Sequence, residues 1–330
     1  MTAIKPPEEL LRHLRSADRF LLTGHLNPDG DSIGSAIGLK RVLGKLGKSV
    51  TIWNHDESPE VYRKLPGIDR IHVGTSPPTL PVETNFDCVV ALECPSLERS
   101  GLAPHLRQLP VLNLDHHLGN ENYGVVNWVD TGAPALGEMI LRLAKALAVP
   151  LGSDTATALL VALTSDTGGF RFANADSRAF EAAADLVRAG GKPTQVSKWL
   201  YESRSLSSIR LLGEMLSSLE LSNDGRVASV LLTRSMFDRA GASAVHSEGL
   251  IDYPRSIEGV EAVALLRELE DAACKVSLRS RGLLNVESIA RRHSGGGHRN
   301  AAGFLAQGAP EETRRHVVRE LETGLRDDAQ

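Results

Sequence analysis

A chain of 330 residues with 42% hydrophobic and 24% charged residues has the length and composition of a two-domain globular protein that needs no disulfide staples. Its formal net charge of −4 argues against a protein whose main task is to grip long nucleic acid, which takes many phosphate contacts, though it leaves room for a local basic pocket. Cys88, Cys94 and Cys274 form neither a CxxC pair nor a zinc spacing. The N-terminus, with Glu8 and Glu9, lacks the apolar run of a signal peptide, and no stretch reaches the roughly 18 apolar residues of a membrane span. The expectation is a cytoplasmic protein with no membrane contact.

In chain order, Phe20 to Thr23 reads as a short strand ending at Gly24 and His25. Ser32 is placed to cap a helix from about Ile33, whose Ile37, Val42 and Leu46 follow near helical spacing. Further strands are expected at Ser49 to Trp53, Cys88 to Leu92 and Val111 to Leu114, and helices at about 134–148, 154–164 and 176–189. This alternation predicts an α/β domain with a parallel sheet, helices on both faces and its chemistry at the carboxyl ends of the strands. After Gly190-Gly191-Lys192-Pro193 a helical run over about 194–219 reads as a connection. Strands at Val227 to Leu232, Val260 to Leu266, Ala273 to Leu278 and Ala301 to Leu305, with a helix over 310–325, read as a second, smaller α/β domain. The expected boundaries are 1–190, a helical linker over 191–222, and 223–330.

Four segments carry ligand chemistry. Gly24-His25-Leu26-Asn27-Pro28-Asp29-Gly30-Asp31 puts an imidazole and two carboxylates on a turn at a strand end. An isolated Asp-Gly there would be a helix-capping turn, but three ligand-capable residues together favour a divalent cation. Asp115-His116-His117 directly follows the strand Val111 to Leu114, where three polar side chains are costly unless they bind something. Asp166 ends an apolar helix before Gly168-Gly169, and Glu93 ends the strand Cys88 to Leu92. Alone, the first reads as a capped helix end and the second as an exposed glutamate at a strand terminus. Six ligands, His25, Asp29, Asp31, Glu93, His116 and Asp166, suit two cations that activate a water and neutralise a phosphoryl oxygen. Two imidazoles among them favour Mn2+ over Mg2+, with Mg2+ as the alternative ion. In the second domain, Lys275, Ser277, Arg279 and Arg281 alternate along a strand beside the glycine-rich Ser294-Gly295-Gly296-Gly297-His298, which together read as a phosphate pocket.

These motifs, in this order and over nearly the whole chain, resemble the DHH/DHHA1 phosphoesterase superfamily. Within it they are similar to the bacterial bifunctional oligoribonuclease/pAp phosphatase group. The resemblance implies a Rossmann-like DHH domain, a helical linker and a DHHA1 domain, with His25 and Asp29 on one metal and Asp31, His116 and Asp166 on the other. It implies that Asp115 orients His116, that His117 approaches the scissile phosphate, and that Arg279, Ser280, Gly295, Gly296, Gly297 and His298 bind substrate. Glu93 departs from it, standing where the family usually bridges its metals with Asp, so one added methylene shifts the bridge or makes it bidentate. The function implied is hydrolysis of short oligoribonucleotides to mononucleotides and of 3′-phosphoadenosine 5′-phosphate (pAp) to AMP. The alternatives are a cyclic or linear dinucleotide phosphodiesterase and a nucleotide-binding regulator with an impaired metal site. A RecJ-like nuclease on long strands is disfavoured by a short, acidic chain with 4% aromatics, and a family II pyrophosphatase by the GGGHxxAAG ending. The sequence does not decide between a monomer and a homodimer.

Overall fold

The computed structural model describes residues 3–76, 86–270 and 273–327. The chain forms two compact units, 1–203 and 204–330. The helical run expected to connect them is two helices, interrupted at Glu202 to Ser205. Pro193–Tyr201 packs within the first unit and Leu206–Ser217 within the second.

The first unit runs α1 (Glu8–Ser16), β1 (Arg19–Thr23), α2 (Gly30–Lys45), β2 (Ser49–Asn54), β3 (Ile71–Val73), β4 (Cys88–Leu92), α3 (Ala103–Leu106), β5 (Val111–Asp115), β6 (Val126–Val129), α4 (Leu136–Ala146), α5 (Ser153–Asp166), α6 (Ser177–Arg188) and α7 (Pro193–Tyr201). All its strand pairs are parallel, in the order β3-β2-β1-β4-β5-β6. The order reverses beside β1, so the carboxyl ends of β1 and β4 flank the crevice where such sheets bind ligands. Strands β3 and β6, only 3 and 4 residues long, escaped the sequence reading because so short a run carries no readable alternation. Buried on both faces, the strands read as continuous apolar runs. Phe20, Leu22, Val90 and Leu112 pack under the large helices, while Leu21, Val89, Ala91 and Val111 pack under α3 and the turn at Leu97–Ser100.

The second unit runs α8 (Leu206–Ser217), β7 (Glu220–Leu221), β8 (Val227–Leu232), α9 (Arg234–Ala240), α10 (Asp252–Arg255), β9 (Ala262–Glu268), β10 (Ala273–Ser280), α11 (Val286–Arg292), β11 (Gly296–His298), β12 (Ala301–Gln307) and α12 (Pro310–Asp327). Its sheet has the order β11-β12-β10-β9-β8-β7, antiparallel except for β8 against β9. Val227, Ala264, Val276 and Leu278 face the cluster built from α11 and α12. Val230, Val263 and Leu265 face the one built from α8. No helix among the described residues is long and apolar enough to cross a membrane.

Helices α2 and α5 bring the metal-type ligands Asp31 and Asp166 together only because they approach closely. A Cβ on Gly34 would stand 2.4 Å from the Ala158 carbonyl oxygen, a backbone atom with little room to yield. Alanine favours helix over glycine by about 1 kcal/mol, whereas forcing two packed backbones apart costs about 1–3 kcal/mol. Gly34→Ala should therefore lower unfolding stability in urea. Gly44→Ala, in the same helix with nothing within 4 Å of the added methyl, should raise it by up to about 1 kcal/mol. Equal effects from the two changes would remove the close-approach argument.

Candidate metal centre

The β1–α2 turn is shaped by Asp29, which holds an extended backbone and accepts the backbone N–H groups of Asp31 and Ser32, both at 3.0 Å. Asp29, not Ser32, is thus the helix cap, and α2 begins at Gly30. A carboxylate at the positive end of a helix is the stronger cap. The Ser32 hydroxyl is left buried with no hydrogen-bond partner among the described residues. His25 donates from Nδ1 to the Leu26 carbonyl at 2.8 Å. This fixes the proton on Nδ1 and directs the Nε2 lone pair to within 3.9 Å of both Asp29 and Glu93. Asp31 is fully buried. Its carboxylate accepts from the Ser35 hydroxyl at 3.0 Å and from the first two backbone N–H groups of α4, Leu136 at 2.5 Å and Gly137 at 2.9 Å.

At the end of β4, Glu93 takes a left-handed backbone, φ 57°, which turns the chain and sends its carboxylate back into the interior. Its Oε1 lies 2.8 Å from His116 Nε2, and its Oε2, 3.9 Å from His25 Nε2, has no hydrogen-bond partner among the described residues. His116 Nδ1 meets the Ala133 carbonyl at 3.1 Å, so Nε2 is again the ligand atom. The expectation that Asp115 orients the His116 ring is corrected. Asp115 touches His116 only at its backbone N–H, and its Oδ1 instead holds His117 Nδ1 at 2.6 Å. Two residues missed in the sequence complete the site. Asn120 donates to the other Asp115 oxygen at 2.6 Å, and Asn174 donates to Asp166 at 3.2 Å. An Asn a few residues beyond a ligand resembles any loop Asn, so neither gave a signal.

Three donor sets result, each with atoms within 4.8 Å of one another: His25, Asp29 and Glu93; Asp31, His116 and Asp166; and Glu93, His116 and His117. Glu93 is common to the first and third, and its contact with His116 joins the first set to the second. The buried, unpartnered Oε2 and the two fixed imidazole tautomers are what a pair of divalent cations requires of its ligands.

The charges agree. Burial, then the neighbouring Asp31, Asp29, Asp166 and Asp115, drive the Glu93 carboxyl well above the usual range. Burial raises Asp31 against the opposing pull of His116, and Asp166 is pushed up to about 7 by burial with Asp31 and Asp29 adding to it. His116 is raised too, because Asp166 and Asp31 outweigh its burial. Asp115 goes the other way: burial alone would raise it, but the hydrogen bond and charge of His117 and the Asn120 amide hold it below the ordinary value.

In the second unit, β10 alternates as expected, with Cys274, Val276 and Leu278 buried and Lys275, Ser277 and Arg279 on the more open face. Burial depresses the Arg279 guanidinium, Asp252 opposes this and Arg255 adds to it. Arg281 lies beyond the strand and donates to the Arg255 carbonyl at 2.8 Å. Ser280 is a correction: it is buried, and its hydroxyl donates to the Leu284 carbonyl at 2.7 Å, clasping the turn rather than facing a ligand. The triple glycine is a tight hairpin rather than an open loop. Gly296 to His298 pair with Ala301 to Gly303, and Gly295 donates to the Ala290 carbonyl. Gly297, at φ 146°, would bring a Cβ within 2.4 Å of the Ala301 carbonyl oxygen, so strand pairing alone demands glycine there. Only Gly296 has open space. The side chain of His298 lies outside the described residues.

For the cation-free protein the raised groups share one sign. The folded chain binds their protons more tightly than the unfolded chain, so the stability they contribute is present below the ordinary carboxylate range. It is lost as pH rises through the folded values, near 7 for Asp166. The thermal midpoint of chelator-treated protein should fall between pH 5 and pH 8, since Asp115, held below its ordinary value, titrates beneath this window and adds no slope within it. Added divalent cation should reverse the trend, because its ligands bind deprotonated. A cation-free midpoint that climbs over this range would contradict the raised-carboxylate cluster.

Residues 19–163 match the DHH family, N-terminal domain, and residues 225–323 match the DHHA1 domain. A Thermus thermophilus protein named bifunctional oligoribonuclease and PAP phosphatase NrnA is 34% identical over 86% of this chain and 83% of its own. A Bacillus subtilis protein of the same name is 27% identical over 96% and 97%. The crystal structure of an exopolyphosphatase-related protein from Bacteroides fragilis superposes with a TM-score of 0.89 at 24% identity, covering 98% of this chain and 97% of that one, and so shares the fold. With both domain types in sequence and a relative this similar over most of its length, the chain belongs to the DHH/DHHA1 phosphoesterase family.

Proposed function

We propose that the protein is a manganese-dependent phosphoesterase that hydrolyses short oligoribonucleotides to mononucleotides and pAp to AMP. The observation that carries the reading is the pair of ligand sets joined through Glu93, whose buried Oε2 has no partner among the described residues, in a chain whose relatives bear that activity in their names. His25, Asp29 and Glu93 would hold one cation, and Asp31, His116 and Asp166 the other, with Glu93 lying between the two sets through its contact with His116. Bound there, divalent cations supply an acidified water and Lewis-acid neutralisation of a phosphoryl oxygen. The imidazoles of His25 and His116 tilt the choice toward manganese over magnesium. Asp115 keeps a proton on His117 Nδ1, which leaves Nε2 as the atom that meets the scissile phosphate. In the second unit, Arg279 is a partly buried cation whose burial is only partly offset by Asp252 and is worsened by Arg255, a cost that an anionic phosphate would reduce. With Gly296 and His298 it is assigned to substrate recognition. Three buried thiols in no disulfide accord with a reducing cytoplasm.

The deciding assay sets the purified protein with Mn2+ against pAp, di- to pentaribonucleotides, cyclic dinucleotides and pyrophosphate. kcat/KM should be highest for the short linear ribonucleotides and pAp, vanish with chelator, and return better with Mn2+ than with Mg2+. Preference for a cyclic dinucleotide would replace the substrate assignment, and absence of turnover with all of them would favour a nucleotide-binding regulator. Glu93→Ala should cost activity about 100-fold or more, since even an outer support of a ligand is worth about 10–100-fold. Glu93→Asp should stay active, because the shorter acid keeps the charge and tolerates a left-handed backbone better. Wild-type turnover in Glu93→Ala would end the bridging role.

A further inference from the structure

A second cluster of ligand-type side chains lies in the C-terminal unit, on residues used neither by the centre above nor by the proposed phosphate recognition. His316 and Glu320 stand one turn apart on α12, and His293 caps the C-terminus of α11. His293 Nε2 is 2.7 Å from Glu320 Oε2, His316 Nε2 is 3.9 Å from the same oxygen, and the three donor atoms fall within 4.8 Å of one another. Tetrahedral ligands about 2.0–2.1 Å from a zinc ion stand roughly 3.3 Å apart, a separation that these two distances bracket. The rings of His293 and His316 meet edge to face at 88°, so their nitrogens converge rather than stack. The His293 ring is fixed from behind by stacking on Phe304 of β12, at 4.3 Å between centroids and 11° between planes.

We propose that His293, His316 and Glu320 form a transition-metal site of the zinc class, separate from the catalytic cations, that ties α11 to α12 at the base of the glycine hairpin. Two nitrogens and one carboxylate are the donor set of zinc rather than of magnesium or calcium, and three protein ligands leave a position for water. Glu320 is also approached by Arg292 at 3.6 Å, a pair with the Arg292 side chain 55% exposed, which a divalent ion on the same carboxylate would displace at little cost. Ser294 and Gly295 follow His293 directly and lead into β11, so a cation held here would fix the end of α11 from which the hairpin starts. The site stands on these contacts alone and does not depend on the proposed activity.

The test is equilibrium dialysis of the full chain against buffered Zn2+, with bound metal measured by mass spectrometry, for wild type, His316→Gln and Glu320→Gln. His316 is well exposed and Glu320→Gln is isosteric, so both variants should keep the metal-free thermal midpoint. Each variant should bind one zinc equivalent fewer per chain than wild type, or bind that equivalent at least tenfold more weakly. Zinc should also perturb the ring resonances of His293 and His316 in wild type but not in Glu320→Gln. Unchanged stoichiometry and affinity in both variants, with no ring perturbation, would show an ion-pair cluster only and overturn the proposal.

Discussion

The centre is governed by one constraint: Glu93 and Asp31 are buried among Asp29, Asp115 and Asp166, where burial and like charges make ionisation costly. Five carboxylates in one crevice are tolerable only if fixed dipoles and cations answer them. The protein supplies the dipoles. Asp31 sits on the first two N–H groups of α4, Asp29 on the first turn of α2, and Asp115 on two backbone N–H groups and the Asn120 amide. Glu93 receives none of this at Oε2. No donor among the described residues meets that oxygen, so its neutralisation would fall to a bound cation.

The sheet order explains why such a cluster forms from residues so distant in sequence. Parallel strands deliver all their carboxyl ends to one edge, so the turns after β1, β4 and β5 meet there. Asp166 arrives differently, at the last turn of α5, and reaches the same place because α2 and α5 approach backbone to backbone at Gly34. The short approach between two helices and the register of three strands therefore act as a single device. A shift of either moves one ligand set relative to the other.

The clustering in the candidate centre was legible because its ligand-type residues closely follow apolar strand runs, where a buried polar residue is conspicuous: His25 after Phe20 to Thr23, Glu93 after Cys88 to Leu92, His116 after Val111 to Leu114. What escaped was set by tertiary contact. Ser32 and Asp29 are both good caps in sequence, and only the extended backbone of Asp29 decides between them. Asp115 could serve either neighbouring imidazole, and the Ala133 carbonyl claims His116, leaving Asp115 to His117. In the second unit the glycine run looked like an anion loop. Two of its glycines are instead required by the pairing of β11 with β12, a long-range contact with no local signature.

Glu93 shows how backbone and side chain share one task. An L-residue other than glycine in the left-handed region costs roughly 1–2 kcal/mol, a strain that aspartate and asparagine bear more easily than glutamate. The chain nevertheless places Glu there, at φ 57°, between two strand ends. The strained turn starts the side chain inward, and the extra methylene must then be accommodated by a path that reaches both histidines, with Oε1 at His116 and Oε2 toward His25. A residue whose only role was to end β4 would relax by turning its carboxylate to water. That this one stays buried and strained, with Oε2 unpartnered among the described residues, is the feature that the proposed pair of cations would answer.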